Sequence, residues 1–212
     1  MISLIMLVVV LSATPSLATH PVIHQPPNVH WRNSHTQWHW GANLDNNYPQ
    51  FKTPTNKART DTWTSACCPD SQWHAHYDTA FDNHVNVKDC SNPSAPGCAV
   101  TSYNGNSSLH MTLGTTWFDV DYVSQFYTGT GHPADNNTPN EIDAWSVAAE
   151  EYGHVQNMHH FGSGCDTMSG FTEREKTCKR FLNSAEKSAA QEPYDSAHPG
   201  TFSNAINEIW FE

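Results

Sequence analysis

The sequence predicts an α+β fold built as one domain, and three observations carry that prediction. The segments that alternate bulky and polar residues, or are rich in β-branched residues, all lie before residue 129. The two clearest helical segments, beginning near Asn140 and near Asn183, come after them, and strands first with helices later is the α+β order. The length of 212 residues suits one domain with a sizeable core and is short for two.

The chain opens with an apolar run, Ile2 to Leu11, followed by small and turn-forming residues. A run of about ten apolar residues is half the roughly 20 needed to span a bilayer. Ser16-Leu17-Ala18 offers a small-x-small cleavage site, so residues 1–18 read as an export signal, although no Lys or Arg precedes Arg32. Residues 19–212 then form a single domain that begins with a loose arm rich in Pro, His and Asn, to about residue 35. Thr36–Leu44 (TQWHWGANL) alternates and predicts a strand. Asn56–Cys68 predicts a helix stopped by Pro69. HVNVKDC and AVTSY are strands flanking a Pro/Gly/Ser loop, SSLHMTLGTTWF is another, and YVSQFYTG is a further candidate before the loop Gly129–Thr138.

Thr138-Pro139-Asn140-Glu141 has the form of a capping box with Pro at the first helical position. From it runs NEIDAWSVAAEEYGHVQN, with Ile142, Trp145, Ala149 and Tyr152 at helical spacing. Gly153 inside this helix costs about 1 kcal/mol relative to Ala, which points to close packing or a special role. The last helix starts near Asn183, with Glu186 as its cap partner, and stops before Pro193.

Six cysteines, Cys67, Cys68, Cys90, Cys98, Cys165 and Cys178, follow the export signal and suggest three disulfides made in an oxidising compartment. Cys90 with Cys98 and Cys165 with Cys178 would close short loops, but that pairing leaves the strained neighbours Cys67 and Cys68 together, so the connectivity stays open. The net charge of -11 argues against nucleic acid and anionic membrane surfaces, both of which are bound through basic patches. Fourteen histidines gain charge below about pH 6.5, so activity should depend on pH. Asn106-Ser-Ser and Asn136-Asn-Thr are glycosylation sequons in a glycosylating host.

Chemistry concentrates in AAEEYGHVQNMHHF, Ala148–Phe161. Glu150 and His154 are four apart and share a helix face. Glu151 sits about 100° round the helix from Glu150, close enough to touch water held by that face. His160 would lie about 240° from His154 on a straight helix, so it can join them only if the helix ends between. Asn157 stands in that gap, and Asn readily takes the left-handed conformation that ends a helix. Glu150, His154 and His160 can then converge on a metal, with Glu151 left over as a base. His159 is the alternative third ligand, but it points away from its neighbour. His74 with His76, and the histidines from His20 to His39, could hold a second metal, although such tracts are more often solvated. Di-iron carboxylate bundles need two E-x-x-H units on long helices, and only one is present.

These residues resemble the metzincin zinc signature H-E-x-x-H-x-x-G-x-x-H, and SVAAEEYGHVQNMHH looks most like the matrixins, the matrix-metalloproteinase branch. GCDTMSG, Gly164–Gly170, resembles the Met-turn placed beneath the metal, with Met168 the matching methionine. KRFLNSAEKSAAQEPY resembles the helix that closes the domain, and FYTGTGHP the approach to the metal helix. The specific part covers about Phe126 to Tyr194; earlier residues agree only in coarse strand and helix order. The chain departs from the signature at Glu150, where the first histidine belongs, and at Asn157, where the glycine belongs.

The resemblance implies a twisted mixed sheet with an active-site helix, a Met-turn and a C-terminal helix. It further implies a secreted, monomeric zinc endopeptidase acting on proteins or peptides laid in a cleft beside an edge strand. One catalytic Zn2+ would be held by Glu150, His154 and His160, with metal-activated water attacking the peptide carbonyl and Glu151 as general base. Calcium is possible in such a chain but not indicated. A carboxylate ligand is compatible with zinc chemistry, but the added anion should weaken the metal as a Lewis acid. The alternative is a secreted binding module that keeps the fold and has lost catalytic strength.

Overall fold

The computed structural model of the chain describes residues 30–31, 35–64, 74–77, 83–104, 110–133, 140–170, 172–191 and 206–211. Its elements form a mixed sheet and several helices, in the α+β arrangement. The export signal, most of the N-terminal arm, Cys67, Cys68 and both sequons lie outside the described residues.

Among the described residues the sheet contains seven strands: β1 His30–Trp31, β2 His35–Trp40, β3 His74–Tyr77, β4 His84–Lys88, β5 Gly97–Asn104, β6 His110–Asp119 and β9 Ile206–Phe211. Their order is β3-β2-β4-β6-β5-β9, with β1 beside the first residues of β6. Neighbours from β3 to β6 run parallel, while β5 is antiparallel to both β6 and β9. Alternation dictates the facing: in β4, Val85 and Val87 are buried while His84 and Asn86 are only partly so. Cys90–Cys98 links the end of β4 to the start of β5. Asp119 braces the same corner, accepting the N–H groups of Cys90 (2.8 Å) and Asp121 (2.7 Å).

The strand predicted over Thr36–Leu44 ends at Trp40; Ala42–Asn47 is a short helix, α1, whose Leu44 N–H is taken by Asn86 Oδ1 of β4. The helix predicted over Asn56–Cys68 begins earlier. α2 spans Lys52–Lys57 after a 3-10 turn at Pro49–Phe51 and continues as a wider π-type turn at Ala58–Thr64. YVSQFYTG is mostly a 3-10 turn, Val120–Gln125, followed by a two-residue strand, β7 Phe126–Tyr127.

The start of the central helix is the main correction. Asn140 is at φ 70°, and Ile142–Asp143 form β8, paired parallel with β7, so the helix does not begin at the expected capping box. α3 spans Ala144–Val155 and is capped by Asp143, which accepts from Ser146 N–H (3.0 Å) and Ser146 Oγ (2.7 Å). Asp143 is fully buried and also takes two hydrogen bonds from the Arg180 guanidinium, at 2.8 and 2.6 Å. The last helix keeps its sequence-predicted start. α4 spans Ser184–Gln191, and Asn183 and Glu186 exchange bonds, Glu186 N–H to Asn183 Oδ1 (2.9 Å) and Asn183 N–H to Glu186 Oε2 (2.8 Å).

Every residue of α3 is buried, so the helix is the centre of the molecule and not an amphipathic surface element. Tyr152 meets Trp38 of β2 edge-on at 5.3 Å. Trp63 Nε1 donates to the Ala149 carbonyl at 2.8 Å, and Trp145 Nε1 to Thr62 Oγ1 at 3.0 Å. Phe51, Phe118 and Phe126 cluster with ring centroids 4.4–5.3 Å apart. Among the described residues no helix is long and apolar enough to cross a membrane. The two disulfides, Cys90–Cys98 and Cys165–Cys178, suit an oxidising compartment.

Candidate metal centre

α3 delivers Glu150, Glu151 and His154, and the chain then reverses within a few residues. Asn157 takes φ 64°, its N–H bonds the His154 carbonyl (2.8 Å), and Met158 N–H bonds the Gly153 carbonyl (3.1 Å). This pair of bonds is a Schellman motif with Asn157 at the left-handed position. It ends the helix where the sequence required, and His160 comes back beside His154. His154 Nε2 and His160 Nε2 are 3.0 Å apart, and His160 Nε2 lies 3.2 Å from Glu150 Oε1. Glu150, His154 and His160 thus form a group that could hold a metal ion. His159 is half-buried and is not part of this group.

The protonation pattern suits a cation. His154 Nδ1 faces the Met158 carbonyl at 2.7 Å; a carbonyl only accepts, so Nδ1 carries the proton and the Nε2 lone pair points into the group. Burial lowers the His154 imidazole to about 4, against the opposing pull of Glu150, so the ring is neutral at neutral pH. Burial opposes charge on Glu150, but the hydrogen bond from His160 and the charge of Lys179 outweigh it and bring its carboxyl down to about 2. Glu150 Oε1 also accepts the Gly170 N–H at 3.0 Å, while Oε2 is held by Lys179 Nζ at 2.5 Å.

Glu151 behaves differently from its neighbour. Burial, then the adjacent Glu150 charge, push its carboxyl well above the usual range, with Lys179 opposing. Its Oε2 is buried and has no hydrogen-bond partner among the described residues. Both carboxylates and His160 line a cleft of about 640 Å³ between the 92–97 segment and the 170–174 segment. Gly97 is what lets β5 approach: a Cβ there would stand 2.6 Å from Val147 Cγ1 and 2.9 Å from Glu151 Oε1.

Met168 is fully buried beneath α3, and a Cβ on Gly153 would come within 2.2 Å of its sulfur, so close packing is what Gly153 permits. Met168 also ties three segments together through its backbone. Its carbonyl accepts Phe161 N–H (2.8 Å), and its N–H is taken by Glu186 Oε1 of α4 (2.8 Å). Gly170, at φ 64°, closes over His160; a Cβ would stand 2.7 Å from the ring.

Two residues of the site escaped the sequence reading. Gly170 sat within the quoted GCDTMSG segment but carried no assigned role. Lys179 gave no signal because a lysine is ordinarily solvated. The one available clue was chemical: a buried carboxylate added beside another carboxylate calls for a cation. The side chains of His74 and His76 lie outside what is described. No protein-family model matches the sequence, and no curated protein matches it.

Proposed function

We propose that the protein is a secreted zinc-dependent endopeptidase of metzincin type, acting on protein or peptide substrates. The observation that carries this reading is the convergence of Glu150 Oε1, His154 Nε2 and His160 Nε2 in a cleft also lined by Glu151, whose buried Oε2 has no hydrogen-bond partner among the described residues. The donor separations of 3.0 and 3.2 Å are close to the about 3.3 Å edge of a tetrahedron with zinc–nitrogen bonds of about 2.0–2.1 Å. Two imidazoles and one carboxylate are also a ligand set that zinc uses in catalysis. The succession of buried helix, left-handed reversal, turn with a buried methionine and closing helix supports the metzincin resemblance.

Zinc bound there supplies a Lewis acid for the peptide carbonyl and makes water a nucleophile at neutral pH. The chain itself supplies the proton transfers. Glu151, whose Oε2 has no hydrogen-bond partner among the described residues, would take a proton from water and return it to the leaving amine. Substrate backbone is best accommodated along Ala95–Gly97, which borders the cleft. Further along β5, residues 99–104 are already paired with β9.

The test is the zinc content of the purified protein together with casein cleavage, with and without a chelator. Zinc should be present near one per chain, and chelation should abolish cleavage. Glu151→Gln should keep the metal and lose about 10²–10⁴-fold in cleavage rate. A protein without bound metal sinks the enzyme reading. Metal without cleavage, unaltered by Glu151→Gln, would instead leave a metal-binding module.

A further inference from the structure

A buried lysine stands at the candidate metal centre. Lys179 Nζ lies 2.5 Å from Glu150 Oε2, and both side chains are more than nine-tenths buried. Its backbone is fixed from several directions. Cys165–Cys178 anchors the preceding residue, Thr167 Oγ1 donates to the Lys179 carbonyl (2.9 Å), and Thr62 Oγ1 donates to the Arg180 carbonyl (2.6 Å). The Arg180–Asp143 pair then locks the following residue to the cap of α3. Lys179 is therefore held in place by structure on both sides and does not reach in from solvent.

The two oxygens of Glu150 are divided between tasks. Oε2 belongs to Lys179, whereas Oε1 takes the Gly170 N–H and faces His160 Nε2. We propose that Glu150 and Lys179 act as one unit, a carboxylate that offers the metal a single oxygen while the ammonium cancels its charge. The pair then has the net charge of a neutral histidine, and Lys179 is the residue that sets this charge, at the expense of some attraction for the cation. This deepens the zinc reading and rests on it. It also decides what Glu150→His does. Alone, that substitution strands the Lys179 ammonium next to a divalent cation; it should be harmless only when Lys179 is neutralised as well.

A double-mutant cycle on the full chain tests this, with zinc affinity read by competition against a chromogenic chelator and the ligand set read from the visible spectrum of the cobalt-substituted protein. Glu150→His should bind zinc at least about tenfold more weakly than wild type, the size typical of a disturbed metal environment. Glu150→His with Lys179→Met should return to within about threefold of wild type, with a four-coordinate cobalt spectrum. Lys179→Met alone removes a positive charge beside the metal and should tighten zinc binding, where a lysine with a purely structural role would weaken it or leave it unchanged. Should the methionine variants not fold, Lys179→Arg keeps the charge and should hold zinc affinity within about threefold.

The pairing idea is overturned if Glu150→His alone binds zinc as tightly as wild type, or if the double variant is no better than Glu150→His. It is overturned equally if Lys179→Met weakens binding, or if Lys179→Arg loses it. Absence of zinc from the wild type would overturn both this proposal and the functional one. A wild type that binds zinc while the cycle shows no coupling overturns this one alone.

Discussion

A single backbone angle decides whether the centre can exist. Asn157 at φ 64° turns the chain so that His160 meets His154, and Asn pays little for that conformation because its short polar side chain tolerates it. If the proposed zinc is bound, Asn157→Gly should therefore keep both it and the fold. Asn157→Val places a β-branched residue at positive φ, costs on the order of 1–3 kcal/mol and should lose metal before it loses the sheet. Zinc content and urea midpoints of the two variants measure this; equal behaviour would show that the reversal does not depend on Asn157. Glu186 gives a residue-level prediction in pH. It is fully buried, and burial pushes its carboxyl above the ordinary 4.5 despite the N–H groups of Asn183 and Met168 that lower it. A carboxyl raised on folding is held protonated more tightly by the folded chain. Its contribution to stability is complete below 4.5 and is lost as pH rises through the higher folded value. Gln does not titrate, so the cost of Glu186→Gln should be largest below the ordinary value and shrink toward neutrality. Denaturant unfolding of both proteins across that range measures the difference, and a cost that grows with pH contradicts the assignment.

α3 shows how far a sequence carries an element and where it stops. Its existence, its face bearing Glu150 and His154, and its end at Asn157 were legible because periodicity, ligand spacing and a left-handed Asn are local signals. Its start was not, because a local capping box competed with a tertiary one. Asp143 wins since Arg180 and Ser146 converge on it, and Arg180 is 37 residues away. α4 was legible at its start because its cap is wholly local, Asn183 with Glu186. Lys179 was invisible for the same reason as Arg180: its role is set by a partner 29 residues back. Gly153 was read as a position of close packing or a special role, and its contacts show close packing. Alanine would normally gain about 1 kcal/mol in a helix. Here its Cβ would stand 2.2 Å from Met168 Sδ and 3.1 Å from Trp63 Cζ2, both in the core. Overpacking of this kind costs about 1–3 kcal/mol, so Gly153→Ala should destabilise on balance. A raised urea midpoint for that variant would mean that Met168 can move aside.

At the scale of the molecule, the sheet and the metal centre depend on α3 in different ways. The sheet packs on one side of the helix through β5 and β6 residues and needs no ligand. α2 and the π-type turn cover a further part of the helix, and the side bearing the ligands is closed by short segments with little regular structure: the reversal to His160, the turn through Met168, and the Cys178–Arg180 stretch. These are joined by point contacts, namely Phe161 N–H to Met168 O, Met168 N–H to Glu186, Gly170 N–H to Glu150, and the Cys165–Cys178 bond. A metal binding Glu150, His154 and His160 would clamp this side to the helix and stabilise only the folded chain. At about a thousandfold excess over Kd, that linkage contributes about 4 kcal/mol. For a domain of this size each kcal/mol moves Tm by about 2–4 °C, so chelation should lower Tm by about 8–16 °C. Calorimetry with and without chelator measures the shift. Amide exchange should locate it, with protection lost across 156–170 and kept in β4, β5 and β6. An unchanged Tm, or a loss of protection spread evenly over the sheet, would mean that no metal holds these segments to α3.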